Sequence, residues 1–307
     1  MANKHEENLK KKIRSLLKKK NAVLLAHNYQ RDEIQEIADY AGDSLGLSQT
    51  AAATKADIIV FCGVHFMAES AAILSPHKTV LLPNIEAGCP MADMVTPKKL
   101  REVKKNHPDA VVVCYINSSA EVKAESDICC TSSNAIRVLE SLNGAQKVLM
   151  IPDMNLAKYA QRFTRKKIIP WKGFCPTHHN FIKVKDVQNT MNQYKDAVFM
   201  AHPECAPDVL SLADHISSTS EMIQFARECL HQEIIVGTEI GIGYRLRKEN
   251  PGKNFYFPSK EQICPNMKVT ILEDVLIALE EEKHKITVPE EISAKAHSAL
   301  QKMLSLS

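Results

Sequence analysis

The sequence predicts an α/β protein of three homologous three-layer αβα domains, with parallel sheets set in pseudo-threefold symmetry around a central site. Three observations carry this expectation. Cys89-Pro90, Cys175-Pro176 and Cys264-Pro265 are the only Cys-Pro dipeptides, and their cysteines lie 86 and 89 residues apart. Short apolar runs, each preceded by alanine, start at Val23, Val111 and Val198, 88 and 87 residues apart. Later runs close on Pro83, Pro170 and Pro258, again 87 and 88 apart. A period of this length exceeds that of solenoid repeats and matches a small domain.

The elements follow in order. Residues 1–20 read as a surface helix, because lysines at 10–12 and 18–20 flank the apolar stripe of Ile13, Leu16 and Leu17. The first domain, 21–108, opens with the buried strand Val23-Leu24-Leu25, continues through a helical stretch at 32–40, and adds a second strand at Ile58-Ile59-Val60. Its third strand ends at Pro83 and leads into the first Cys-Pro loop. The second domain, 109–195, repeats this with Val111-Val112-Val113, a helical stretch at 133–141, Val148-Leu149-Met150 and Pro170. The third, 196–282, does so with Val198-Phe199-Met200, Ile234-Ile235-Val236 and Pro258, and residues 283–307 close the chain as a helix.

Composition narrows the function. The 307 residues are 45% hydrophobic and 24% charged, so the chain is globular rather than disordered. A formal charge of +3 is too small to indicate nucleic-acid binding. No apolar run is long enough to span a bilayer and the N-terminus lacks a signal-peptide core, so a cytoplasmic protein is expected. Nine cysteines, an odd number without any Cys-x-x-Cys pair, indicate a reducing compartment and no zinc ribbon. Cys62, Cys114, Cys129, Cys130 and Cys229 read as small packed thiols.

The repeat also selects the site. Ligands of open parallel sheets bind at the carboxyl ends of strands. Four residues beyond each first-strand start stand His27, Tyr115 and His202; six beyond stand Tyr29, Asn117 and Glu204. In extended backbone such i, i+2 pairs point the same way, so all six can share one cavity. Ser44, Ser132 and Thr219, 88 and 87 apart, open helical stretches where hydroxyls and free N–H groups suit an anion; the plainer reading is three N-caps. Cys89, Cys175 and Cys264 on equivalent loops suit either a three-ligand zinc or a [4Fe–4S] cluster with one iron free, and spacing does not choose. Glu204, placed among apolar walls, is expected to have a raised pKa.

The residues resemble the quinolinate synthase family, iron–sulfur enzymes of de novo NAD biosynthesis. The resemblance rests on Ala26-His27-Asn28-Tyr29-Gln30, Gly42-Asp43-Ser44, Gly63 to Glu69, Tyr115-Ile116-Asn117, Pro152 to Leu156, Gly173-Phe174-Cys175, His202-Pro203-Glu204-Cys205 and Gly237-Thr238-Glu239. It implies condensation of iminoaspartate with dihydroxyacetone phosphate to quinolinate, phosphate and water, with a [4Fe–4S] cluster as Lewis acid on Cys89, Cys175 and Cys264. By position it makes His27, Tyr29, Tyr115, His202 and Glu204 catalytic, and adds Ser44, Asn117, Ser132, His178 and Thr219 as substrate-binding. It further implies functional coupling to an aspartate oxidase or dehydrogenase that supplies iminoaspartate. Some members carry a Cys-x-x-Cys pair near the last cluster ligand; here Met267 stands three residues after Cys264. The rival readings are another [4Fe–4S] hydro-lyase and a non-enzymatic iron–sulfur sensor or carrier.

Overall fold

The computed structural model describes residues 2–306, so Met1 and Ser307, at the ends of the first and last expected segments, lie outside the described residues. Among the described residues three four-stranded sheets are formed. The first contains β1 (Ala22–His27), β2 (Tyr40–Gly42), β3 (Ile58–Cys62) and β4 (Thr79–Leu81). The second contains β5 (Ala110–Tyr115), β6 (Ile128–Cys130), β7 (Lys147–Ile151) and β8 (Lys167–Pro170). The third contains β9 (Val198–Ala201), β10 (His215–Ile216), β11 (Glu233–Gly237) and β12 (Asn254–Tyr256). All pairings are parallel, and the spatial orders are β2-β1-β3-β4, β6-β5-β7-β8 and β10-β9-β11-β12. One topology thus occurs three times. In each sheet the order reverses beside the first strand, which is where a parallel sheet opens a crevice at its carboxyl edge.

Each unit therefore holds four strands where the apolar runs predict three. The additional strands, β2, β6 and β10, are two or three residues long. The helical stretch expected at 32–40 is correspondingly shorter, ending as Asp32–Ile37 before β2 begins at Tyr40. A repeated aspartate secures these short strands. Asp39 Oδ2 accepts from Leu24 N at 2.8 Å while its own N–H donates to Leu24 O at 2.9 Å. Asp127 does the same with Val112, and Asp214 with Phe199. The two-point pairing holds each short strand against the first strand of its unit, although so short a segment carries little apolar periodicity of its own.

A second repeated device is lysine. Lys78 Nζ donates to Ala56 O, Lys166 Nζ to Leu142 O and Ala145 O, and Lys253 Nζ to Ala226 O and Cys229 O. Each ammonium meets carbonyls in or just beyond the C-terminus of a helix, the end where unpaired carbonyls and the helix dipole favour a cation. Among the described residues no helix is long and apolar enough to cross a membrane.

The terminal helices extend the core. Ile13 and Leu17 of the Ala2–Lys19 helix are buried with Leu24, Val60 and Leu81 of the first sheet and with Leu272, Val275 and Leu279. The Leu272–Glu281 helix, which the repeat arithmetic places at the end of the third segment, thus packs on the first sheet. The Glu290–Leu304 helix packs its Ala296, Ala299, Leu300 and Met303 face on the Ala120–Ala124 and His65–Leu74 helices and on β6.

Candidate active site

One cavity of about 270 Å³ is lined by residues of all three units. The first contributes His27, Tyr29, Ser44 and Cys89; the second Tyr115, Asn117, Ser132, Cys175 and His178; the third His202, Glu204, Thr219 and Cys264. Every site residue singled out in the sequence therefore borders the same space. Phe66, Met67, Met91 and Met267 supply much of its apolar wall, and among the described residues neither lysine nor arginine lines it.

The strand ends place the polar groups. His27 is the last residue of β1, Tyr115 the last of β5, and His202 follows β9 directly. Tyr29 N donates to His27 Nδ1 at 3.1 Å, and Glu204 N donates to His202 Nδ1 at 3.4 Å. A ring nitrogen that accepts from a backbone N–H carries no proton itself. Both imidazoles are thereby held as the Nε2–H tautomer. Burial pushes the imidazolium of His27 down to about 4 and lowers that of His202 as well, so both rings are neutral at neutral pH. His202 Nε2 lies 3.2 Å from Ser132 Oγ.

Glu204 sits at the centre of a buried network. Tyr115 Oη donates to its Oε1 at 2.6 Å, and His178 Nδ1 lies 2.8 Å from Oε2. His178 Nε2 is 2.8 Å from Thr238 Oγ1, and Thr238 Oγ1 is 2.5 Å from Tyr29 Oη. Groups from three units thus form one chain, Tyr115–Glu204–His178–Thr238–Tyr29. The expectation of a raised Glu204 pKa is corrected here. Burial alone would raise it, but the neighbouring histidines and the hydrogen bonds from His178 and Tyr115 hold the carboxyl below its ordinary value. Burial, with the Glu204 charge added, pushes both phenols up, so Tyr29 and Tyr115 remain protonated.

The hydroxyl triple is not a set of N-caps. Asp43 and Ser218 cap the Ser44–Ala53 and Thr219–Glu228 helices through Gly46 N and Glu221 N. Ser44 and Thr219 are the first helical residues, and Ser132 lies in the turn before the Ala135–Ser141 helix. Capping falls to Asp43 and Ser218 at two of the helices and to no side chain at the third, and Ser44, Ser132 and Thr219 all border the cavity. Thr219 Oγ1 accepts from Asn28 Nδ2 at 2.9 Å, which leaves its own proton to donate. Asn117 Oδ1 is buried without a partner at the cavity wall, a vacant acceptor of the kind a ligand N–H or O–H satisfies.

The Cys-Pro dipeptides have a local reason. Cys175 and Cys264 are the N-caps of the short Pro176–Phe181 and Pro265–Lys268 helices, where proline at the first helical position needs no N–H partner. Cys89 precedes the Ala92–Met94 turn, and N–H groups of Met91 and Ala92 face its sulfur. Similar N–H groups, of His178 and of Asn266 and Met267, face Cys175 and Cys264. Burial pushes all three thiols up, Cys89 to about 12; repulsion from Cys264 adds to this at Cys89 and Cys175, and repulsion from Glu239 at Cys264. Thiolates here need a cationic centre among them, so the donor set fits a metal group. Cys175 Sγ, His178 Nδ1 and a Glu204 carboxylate oxygen also lie within 4.8 Å of one another and could hold a metal ion. By contrast Cys62, Cys114, Cys129, Cys130 and Cys205 are wholly buried outside the cavity, and Cys229 is half-buried at a helix end.

Several supporting residues were not singled out as site residues in the sequence. Thr238 joins His178 to Tyr29. Asp153 and Glu239, fully buried at the carboxyl ends of β7 and β11, accept from Cys175 N and Cys264 N. Their 86-residue separation within the repeat was the available signal.

The family model described as Quinolinate synthetase A protein matches residues 11–305. The quinolinate synthase of Methanosarcina barkeri is 55% identical over 295 residues, 96% of each chain. That of Pelobacter propionicus is 56% identical over 97% of this chain and 98% of the relative, and that of Geotalea uraniireducens 53% over 98% and 99%. A cavity shared by three repeated units, and similarity along nearly the whole chain, lead to one conclusion: this protein belongs to the quinolinate synthetase A family.

Proposed function

We propose that the chain is a quinolinate synthase that condenses iminoaspartate with dihydroxyacetone phosphate, releasing quinolinate, phosphate and two molecules of water. The observation that carries this reading is the convergence of Cys89, Cys175 and Cys264 with the Tyr115–Glu204–His178–Thr238–Tyr29 chain on one cavity. The three cysteines would hold a [4Fe–4S] cluster, which when bound supplies a Lewis-acidic iron for a substrate oxygen or nitrogen. Atoms balance without net oxidation, so the residues' task is to position substrates and move protons.

In this reading Ser44, Ser132 and Thr219, with the N–H groups at the starts of their helices, bind phosphate and carboxylate oxygens. His27 and His202, neutral with protonated Nε2, donate to carbonyl or developing alkoxide oxygens. Glu204 takes protons from carbon or nitrogen and returns them through His178 or Tyr115. Tyr29, hydrogen-bonded through Thr238, is a further donor, and Asn117 Oδ1 accepts from the imine or enamine nitrogen. Apolar walls limit competing hydrolysis of the imine. Iminoaspartate is itself hydrolysed in water, which favours coupling to the oxidase or dehydrogenase that forms it, in the cytoplasm.

Anaerobic iron and sulfide quantification together with a quinolinate assay tests this reading. About four irons and four sulfides per chain are expected. Cys89→Ser, Cys175→Ser or Cys264→Ser should abolish them, while Cys62→Ser or Cys229→Ser should not. Stoichiometric zinc without iron would sink the cluster and favour the second reading, a mononuclear metal hydro-lyase built on Cys175, His178 and Glu204.

A further inference from the structure

The three cysteine loops share a position in the repeat, but their anchorage differs. Cys175 N donates to Asp153 Oδ2 at 3.2 Å, and Cys264 N donates to Glu239 Oε1 at 3.2 Å. Both carboxylates are inaccessible, and both are fixed by further donors. Asp153 Oδ1 accepts from Leu156 N at 2.6 Å; Glu239 Oε2 accepts from Gly241 N at 2.7 Å, and Lys268 Nζ lies 3.1 Å from Oε1. At the matching end of β3 the first unit has Val64, and among the described residues no carboxylate reaches the Cys89 N–H.

The carboxylate segments also reach the catalytic groups. Asn155 Nδ2, two residues after Asp153, donates to Glu204 O at 2.9 Å. Lys268 donates to Tyr29 O as well as binding Glu239. Gly173 allows the Cys175 loop to close on this segment: a Cβ there would lie 2.5 Å from Pro152 O.

We infer that Asp153 and Glu239 are positioning residues that clamp the Cys175 and Cys264 loops by their backbone N–H groups, leaving Cys89 as the corner that releases the metal group first. This inference rests on the cluster reading above. The clamps act on the backbone of the ligand residue, so each affects its own cysteine only.

The test is anaerobic chelator challenge of the holoprotein with a thiol-alkylating reagent present, mapping by mass spectrometry the order in which Cys89, Cys175 and Cys264 are modified. In the wild-type chain Cys89 should be modified first. Asp153→Ala should speed modification of Cys175, and Glu239→Ala that of Cys264, each by roughly five- to tenfold, the loss expected for one hydrogen bond from a backbone N–H. Asp153→Asn and Glu239→Gln keep an acceptor oxygen and should restore most of the wild-type order. If an alanine variant does not fold, Asp153→Ser or Glu239→Ser, whose hydroxyl is too short to reach the cysteine N–H, takes its place: acceleration confined to its own cysteine supports the clamp, and none overturns it. Simultaneous modification of all three cysteines in the wild type, or equal acceleration at all three in the variants, also overturns it. A wild-type chain that takes up no iron overturns the cluster reading and this inference together, whereas iron uptake without site-specific change overturns only the clamps.

Discussion

The first and third strand ends are built alike, and the second departs from them. His27 and His202 each accept, at Nδ1, the N–H of the residue two positions on, which presents a protonated Nε2 to the cavity. At the same place the second unit has Tyr115, whose hydroxyl is committed to Glu204 at 2.6 Å. The pairs two residues on diverge further, into Tyr29, Asn117 and Glu204. Repetition thus provides three platforms of the same strand order, while substitution on them provides two imidazole donors, two phenols, an amide and a single carboxylate. A symmetric site would suit a symmetric ligand; these unlike groups suit the two different substrates of the condensation proposed above.

Removing the titratable group that ties the second platform to the third should have the largest effect. Glu204→Gln keeps shape and hydrogen-bonding capacity, and turnover should fall by about 10² or more with iron content and fold unchanged. Near-normal initial rates would reduce Glu204 to a structural partner of Tyr115.

The likeness of the first and third ends can be read by acidifying the metal-free protein. Folded His27 protonates near 4 because of burial, whereas the unfolded chain protonates near the ordinary 6.5. The unfolded state therefore binds the proton first. Stability is full above pH 6.5, declines as pH falls from there, and has lost about 3 kcal/mol from this group by pH 4. Denaturant titrations across that range should show a shallower decline for His27→Asn. An unchanged slope would mean that this ring is not buried neutral.

The smallest effects concern the hydroxyls beside those platforms. Ser132→Ala and Thr219→Val should each weaken binding of phosphate or quinolinate by roughly 1.5–3 kcal/mol, the value of one hydrogen bond to a charged group. Calorimetric affinities equal to wild type in both variants would leave the hydroxyls outside the binding step.

Much of this was legible because the repeat aligns the chain with itself. A single histidine after a strand is ambiguous, but His27, Tyr115 and His202 in phase mark an edge. The long apolar strands showed for the same reason. The short strands β2, β6 and β10 did not, since two or three residues have no period, and their place depends on the Asp39, Asp127 and Asp214 pairings. The caps were offset by one residue because Asp43 and Ser218 compete for the same N–H groups as their neighbours. The direction of the Glu204 shift was missed because it depends on His178, which arrives from another unit; spacing within one repeat carries no sign of it.

A cavity wall without lysine or arginine among the described residues has a kinetic consequence. Hydroxyls and helix N-termini act over about one helical turn, whereas a cluster of cations would project a field well beyond the mouth. On the proposed reading, a sugar phosphate approaching this site is therefore captured on contact rather than drawn in. Its association rate constant should lie in the unsteered range and change little with ionic strength, so that selection among anions is exercised in residence time after arrival.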